Sequence, residues 1–135
     1  MIASCGLRLS EALSLTVGDV DLRRGVLTIR RTKFAKSRQV PLHPSTAKAL
    51  GRYRWTRDVA GASRDDDAPF FIGTRGRLFG KRVSLHQVDK VFAQLRNDLG
   101  WVNRGTHHAP RIHDLRHTFV VRRILLWQQH GVDVD

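Results

Sequence analysis

Two arginine-bearing boxes and one basic hairpin stand out by residue type and spacing. In Gly6-Leu7-Arg8-Leu9-Ser10-Glu11 an arginine sits beside a predicted helix start. Unsatisfied backbone N–H groups at such a start already favour an anion. Glu11 follows Arg8 at i+3 and shares its helix face. In His113-Asp114-Leu115-Arg116-His117, His113 and Arg116 are also three apart and face the same way. Between the boxes, Thr32-Lys33-Phe34-Ala35-Lys36-Ser37-Arg38 is a predicted hairpin whose tip carries two lysines. A planar guanidinium fork can hold two oxygens of one phosphate. Lysine and imidazole can give or take a proton. No carboxylate cluster suits Mg²⁺, so the set reads as fixed positive charge at positions that favour an anion.

Each candidate has a plain structural alternative. Arg8 could be a solvated helix-end arginine, and Lys36 competes with Lys33 at the hairpin tip. His113 could be only a helix-terminal histidine, and His117, one turn on, a structural one. His107-His108 lacks a third group at metal-ligand spacing and reads as loop. Asp65-Asp66-Asp67 lies in a Gly- and Pro-flanked loop and reads as a solvated acid patch. Cys5 reads as a small buried residue beside the first box, with a reactive thiol as the alternative. The single tyrosine, Tyr53, shares a helix stripe with Leu50 and reads as a packing aromatic.

The elements that must carry these residues follow from periodicity. Ser10 to Leu15 reads as a short helix. Val20–Leu22, Val26–Arg31 and Arg38–Leu42 read as three strands, turning at Arg23-Arg24-Gly25 and Phe34-Ala35-Lys36-Ser37. Pro44-Ser45 opens a helix with Ala47, Leu50, Tyr53 and Val59 on its expected buried face. Phe70-Phe71-Ile72-Gly73 is a short apolar, extended run. Ser84 caps a second long helix with Val88, Val91, Phe92, Leu95 and Leu99 on one stripe, closed by Gly100. A last helix from about His113 to His130 would turn Leu115, Phe119, Ile124 and Trp127 inward. The predicted fold class is α+β, mostly helical, with a small three-stranded antiparallel sheet.

Composition narrows the partners. The chain has 135 residues, 24 Lys+Arg against 12 Asp+Glu, a net charge of +12 and one cysteine. That is one domain at most, or a piece of one. One cysteine excludes a disulfide scaffold. No apolar run reaches the roughly 18 residues of a membrane span. Basic residues recur along the whole chain rather than in one arm, which suits a folded surface following a polyanion backbone. A basic structural RNA-binding protein would fit the charge as well, but it would need no Arg/Lys/His/Arg set.

Taken in order, the Gly-Leu-Arg-x-Ser-Glu box, the lysine hairpin ending in Val40-Pro41-Leu42 and the His-Asp-Leu-Arg-His-Thr-Phe box resemble the catalytic domain of the tyrosine recombinases, the phage integrase family. The resemblance spans nearly the whole chain. It implies site-specific DNA strand cleavage and rejoining through a 3′-phosphotyrosyl intermediate, a phosphoryl transfer that uses fixed positive charge and no metal or other cofactor, with double-stranded DNA and other recombinase protomers as partners, in the cytoplasm at the nucleoid. By the same resemblance Arg8 and Arg116 clamp the phosphate, and Lys33 protonates the leaving 5′-oxygen. His113 serves in acid/base and phosphate-binding roles, while Glu11 and His117 support the site. The family's Leu-Gly-His box and late nucleophilic tyrosine have no counterpart in these residues, nor has its N-terminal DNA-clamping domain. The expectation is a partial catalytic domain, inactive by itself and marginally stable, with apolar helix faces exposed. The alternative is a DNA-binding module of the same fold that does not cut.

Overall fold

The computed structural model describes residues 1–30 and 36–131. Along the chain run α1 (Ile2–Cys5), α2 (Leu9–Leu13), β1 (Val20–Asp21), β2 (Val26–Arg30), β3 (Ser37–Pro41), α3 (Pro44–Val59), α4 (Leu85–Asp98) and α5 (Asp114–Gln129). The α+β class read from the sequence is the one observed. The single turn α1 was not anticipated: five residues are too few to show a helical period.

The sheet is an antiparallel meander in the order β1-β2-β3. Val20 pairs with Leu27, Leu27 with Val40, and Ile29 with Arg38. Directly opposed residues point to one face. Val20, Leu27 and Ile29 are buried on that face, and the register puts Arg38 on the same side. The alternation of β2 therefore decides where Arg38 goes as well. Residues 31–35, Lys33 among them, lie outside the described residues.

The core gathers Leu7, Ala12, Leu15, Val20, Leu27, Ile29, Leu50 and Phe70. His43 caps α3, its Nδ1 accepting from the Ser45 N–H at 3.3 Å, and Pro44 occupies the first turn. Tyr53 packs its ring against Phe70 and Phe71, at centroid distances of 5.5 and 5.2 Å. Its hydroxyl accepts the Ile72 N–H at 3.0 Å.

The buried face of α3 differs from the expectation at its end. Val59 is exposed, and Arg57 is buried in its place. The Arg57 guanidinium donates to Asp58 Oδ1 at 2.9 Å, to the Ser63 carbonyl at 2.9 Å and to the Pro69 carbonyl at 3.0 Å. It also lies over the Phe70 ring. A hydropathy pattern ranks arginine as surface, but a guanidinium whose two terminal nitrogens find acceptors can be buried, even with Nε unpartnered among the described residues. Arg57 thereby closes the 60–69 loop. The acidic stretch of that loop folds back on the 3₁₀ turn Val17–Asp19, with the Gly18 N–H on the Asp66 carbonyl and the Val17 N–H on the Ala68 carbonyl.

Ser84 caps α4 through a reciprocal pair with Gln87, and Gly100 ends it at φ +65°. Its apolar stripe is largely uncovered, however: Val91, Leu95 and Leu99 are exposed together with Leu85. On α5, Leu115 and Phe119 are half-buried, but Ile124 and Trp127 are exposed rather than inward. The reason is geometric. Among the described residues α4 meets α2 and α5 meets α1, and both partners are single-turn helices too short to cover three or four turns. Periodicity identifies an apolar face without saying what lies on it.

Candidate active site

Arg8 is the residue before α2, in extended backbone at φ −69° and ψ 148°. The Glu11 carboxylate reaches back and accepts the Arg8 backbone N–H at 2.9 Å, satisfying one of the free donors of the helix start. The same oxygen, Oε2, accepts from Arg38 Nη2 at 2.9 Å. Glu11 Oε1 has a looser contact, 3.5 Å from Arg8 Nη1. The Glu11 side chain is 13% exposed and that of Arg8 52% exposed. The arginine is thus tethered at its backbone and open at its guanidinium.

The α2 segment is strapped from its other end. Arg82 Nη1 donates to the Leu13 carbonyl at 2.5 Å, where the helix runs out of internal donors. Asp19, buried, accepts the Thr16 N–H at 3.0 Å and Arg30 Nε at 2.8 Å. That pair holds the end of β2.

The second box lies at the start of α5. His113 is the residue before the helix and is exposed. Its ring meets that of His117 edge-on, with centroids 5.1 Å apart. Arg116 is half-buried, and no carboxylate lies within ion-pair distance of it among the described residues. Asp114, the first residue of α5, is tied to Arg111. It accepts the Arg111 N–H at 2.7 Å and lies 3.4 Å from Arg111 Nη2. The backbone donor, more than the guanidinium charge, holds the Asp114 carboxyl below the usual carboxylate range.

The two boxes are joined through Gly6 and Phe119. Gly6 ends α1 in the left-handed region at φ +66°. A β-carbon built on it would lie 2.6 Å from Phe119 Cδ1 and 2.7 Å from Cε1. The ring therefore rests on bare backbone. Phe119 is one turn beyond Arg116 on the same helix face, and Gly6 is two residues before Arg8. This contact seats α5 against the segment that presents Arg8.

Of the residues singled out in the sequence, Arg8, Glu11, His113, Arg116 and His117 thus lie on two elements in contact through α1. Lys33 is not described. Arg38 was read only as the first residue of a strand, and its tie to Glu11 was missed. The signal was its register opposite Ile29, which needs the turn length between β2 and β3 to be known. His107 and His108 line an open cleft of about 300 Å³ with Trp101, Val102, Arg104 and Pro110. Among the described residues no three His, Cys, Asp or Glu side chains come together as a metal site.

Comparison with known proteins gives consistent matches. The sequence model of the phage integrase family matches residues 1–134. An integrase/recombinase of Sinorhizobium fredii, y4rE, is 44% identical over all 135 residues, which are 41% of its length. Tyrosine recombinase XerC of Chlamydia caviae is 30% identical over 131 residues, 97% of this chain and 37% of that protein. Among solved structures, XerA recombinase superposes with a TM-score of 0.69 at 25% identity, over 91% of this chain and 41% of that one. The XerH site-specific recombinase bound to its difH substrate superposes with a TM-score of 0.66 at 26% identity, over 96% and 34%. The chain spans about two fifths of the length of these relatives.

Proposed function

This chain belongs to the phage integrase family, and on that basis we propose that its residues 1–135 are the phosphate-holding part of a DNA breaking-and-rejoining catalytic domain. Arg8 and Arg116 clamp the non-bridging oxygens of the scissile phosphate, where negative charge builds during transfer. His113 hydrogen-bonds the same phosphate or moves a proton, and Lys33 protonates the leaving 5′-oxygen. Glu11 and His117 hold the arginine and the histidine in place. The partner is double-stranded DNA, steered in by the +12 charge. Further recombinase protomers are a second class of partner.

The observation that carries this reading is the seating of Phe119 on Gly6, which brings two separate arginine boxes onto neighbouring elements. Tyr53 does not supply the nucleophile, because its hydroxyl and ring are spent on Ile72, Phe70 and Phe71. These residues by themselves therefore bind DNA without forming a covalent link.

The test is a trapping experiment with purified chain and a nicked duplex. The expected result is retention that weakens with salt and no covalent band. Arg8→Ala and Arg116→Ala should each lower the slope of log K against log salt by about 1. A covalent adduct, or arginine variants no weaker than exposed Arg75→Ala, would overturn the assignment.

A further inference from the structure

We propose that Arg38 is a positioning residue for Arg8: by occupying the Glu11 carboxylate, it leaves the Arg8 guanidinium free to turn onto a phosphate oxygen. The inference rests on the reading of Arg8 as a phosphate ligand. Three observations carry it.

The first is the division of the carboxylate. Glu11 Oε2 takes the Arg38 guanidinium at 2.9 Å and the Arg8 backbone N–H at 2.9 Å. Arg8 Nη1 is left with a 3.5 Å contact to Oε1. A carboxylate three residues after an arginine, without a competitor, would close on that arginine through two parallel bonds. Arg8 would then meet an incoming phosphate already neutralised. With Arg38 present, two guanidiniums share one negative charge, and a unit of positive charge remains for the anion.

The second is register. Arg38 faces Ile29 on the core side of the sheet, beneath α2, where hydrophobic residues would otherwise be expected. The third is that its placement is a poor stabilising device. Arg38 Nε is buried and has no acceptor among the described residues, and an unsatisfied buried donor destabilises a fold. The partner it does hold, through Nη2, is the Glu11 carboxylate.

The experiment combines side-chain NMR of the arginine guanidinium groups with binding to a short duplex of fixed sequence. Without DNA, Arg38→Gln should move the Arg8 Nε–H signal and slow its exchange as Glu11 closes on it, whereas Arg38→Lys should not. With DNA at low salt, Arg38→Gln should weaken binding by on the order of fivefold, the scale of one partly screened charge-assisted bond. Arg38→Lys should stay within about twofold of the parent. Adding Glu11→Gln to Arg38→Gln should raise affinity above that of the single variant, because the carboxamide oxygen can still accept the Arg8 backbone N–H but no longer captures its guanidinium. Adding exposed Asp89→Asn instead restores the same net charge and should restore nothing. Rescue by Asp89→Asn would make the effect one of bulk charge and overturn the proposal. So would an unmoved Arg8 signal in Arg38→Gln, or a double variant with Glu11→Gln weaker than the single one. If Arg8→Ala itself leaves DNA binding unchanged, the phosphate-ligand reading of Arg8 fails, while the DNA-free spectra still decide whether Arg38 keeps Glu11 from Arg8.

Discussion

Replacing Gly6 by alanine should be among the most damaging single-methyl changes in the chain. Two costs act together. At φ +66° an L side chain sits in the left-handed region at about 1–2 kcal/mol. The new β-carbon would also stand 2.6 and 2.7 Å from two ring carbons of Phe119, and overpacking of that kind costs about 1–3 kcal/mol. The expected loss is roughly 2–5 kcal/mol by those two scales, measured by urea unfolding with linear extrapolation. Two companion variants separate the costs. Gly6→Asn tolerates the backbone but keeps the clash, so it should recover only the conformational part. Phe119→Leu removes the ring, so Gly6→Ala in that background should cost only about 1–2 kcal/mol. A double-mutant cycle should thus show a favourable coupling of at least about 1 kcal/mol. Additivity within about 0.5 kcal/mol would mean that the ring does not rest on Gly6, and the joining of the two boxes would lose its basis.

Further consequences concern buried and titrating groups. Arg57→Leu strands the Ser63 and Pro69 carbonyls that the guanidinium satisfies and should cost about 2–4 kcal/mol by thermal or urea unfolding; a change below about 0.5 kcal/mol would show that the loop is not held there. Because the folded carboxyl of Asp114 titrates below its unfolded value, its stabilisation is full above the unfolded value near 3.9. It is lost as pH falls through the folded value. Asp114→Asn should therefore cost stability at neutral pH and cost nothing in strong acid. Arg111→Ala keeps the backbone donor, so an NMR titration should find the Asp114 carboxyl still below the ordinary range. A return to the ordinary value would make the guanidinium, not the backbone, the main cause.

Local patterns foretold local structure well. The β2 alternation, the opening of α3 at Pro44-Ser45 and the Ser84 cap of α4 each depend on residues within a few positions of one another. What escaped depends on partners distant in sequence. Arg57 is buried because two carbonyls six and twelve residues on converge on it, and no hydropathy scale counts acceptors. Arg38 meets Glu11 across 27 residues, a pairing that only sheet register creates. Of the site, Arg8, Glu11, His113, Arg116 and His117 were named from motif alone, since motif spacing on a helix start is local. Their joining through Gly6 and Phe119 was not, because a glycine's reason for being small lies in whatever rests on it. The stripes on α4 and α5 are apolar as read, but Ile124 and Trp127, expected inward, are exposed, since amphipathicity is a property of one helix and burial a property of two.

Those uncovered stripes also shape how the fold responds to heat. The folded chain exposes 10232 Å², against about 7200 Å² for an ordinary monomer of its mass. Unfolding therefore wets about a fifth less new surface than usual, relative to the roughly 1.45 Å² per dalton of an unfolded chain. Much of the missing increment is apolar, because Leu85, Val91, Leu95, Leu99, Val121, Leu125 and Leu126 are each about half-wet before unfolding begins. The heat-capacity increment should fall below the usual 12–15 cal/mol/K per residue, which is about 1.6–2.0 kcal/mol/K for a chain this long. A smaller increment flattens the stability curve. Such a chain gains little from cooling, so its stability varies little with temperature.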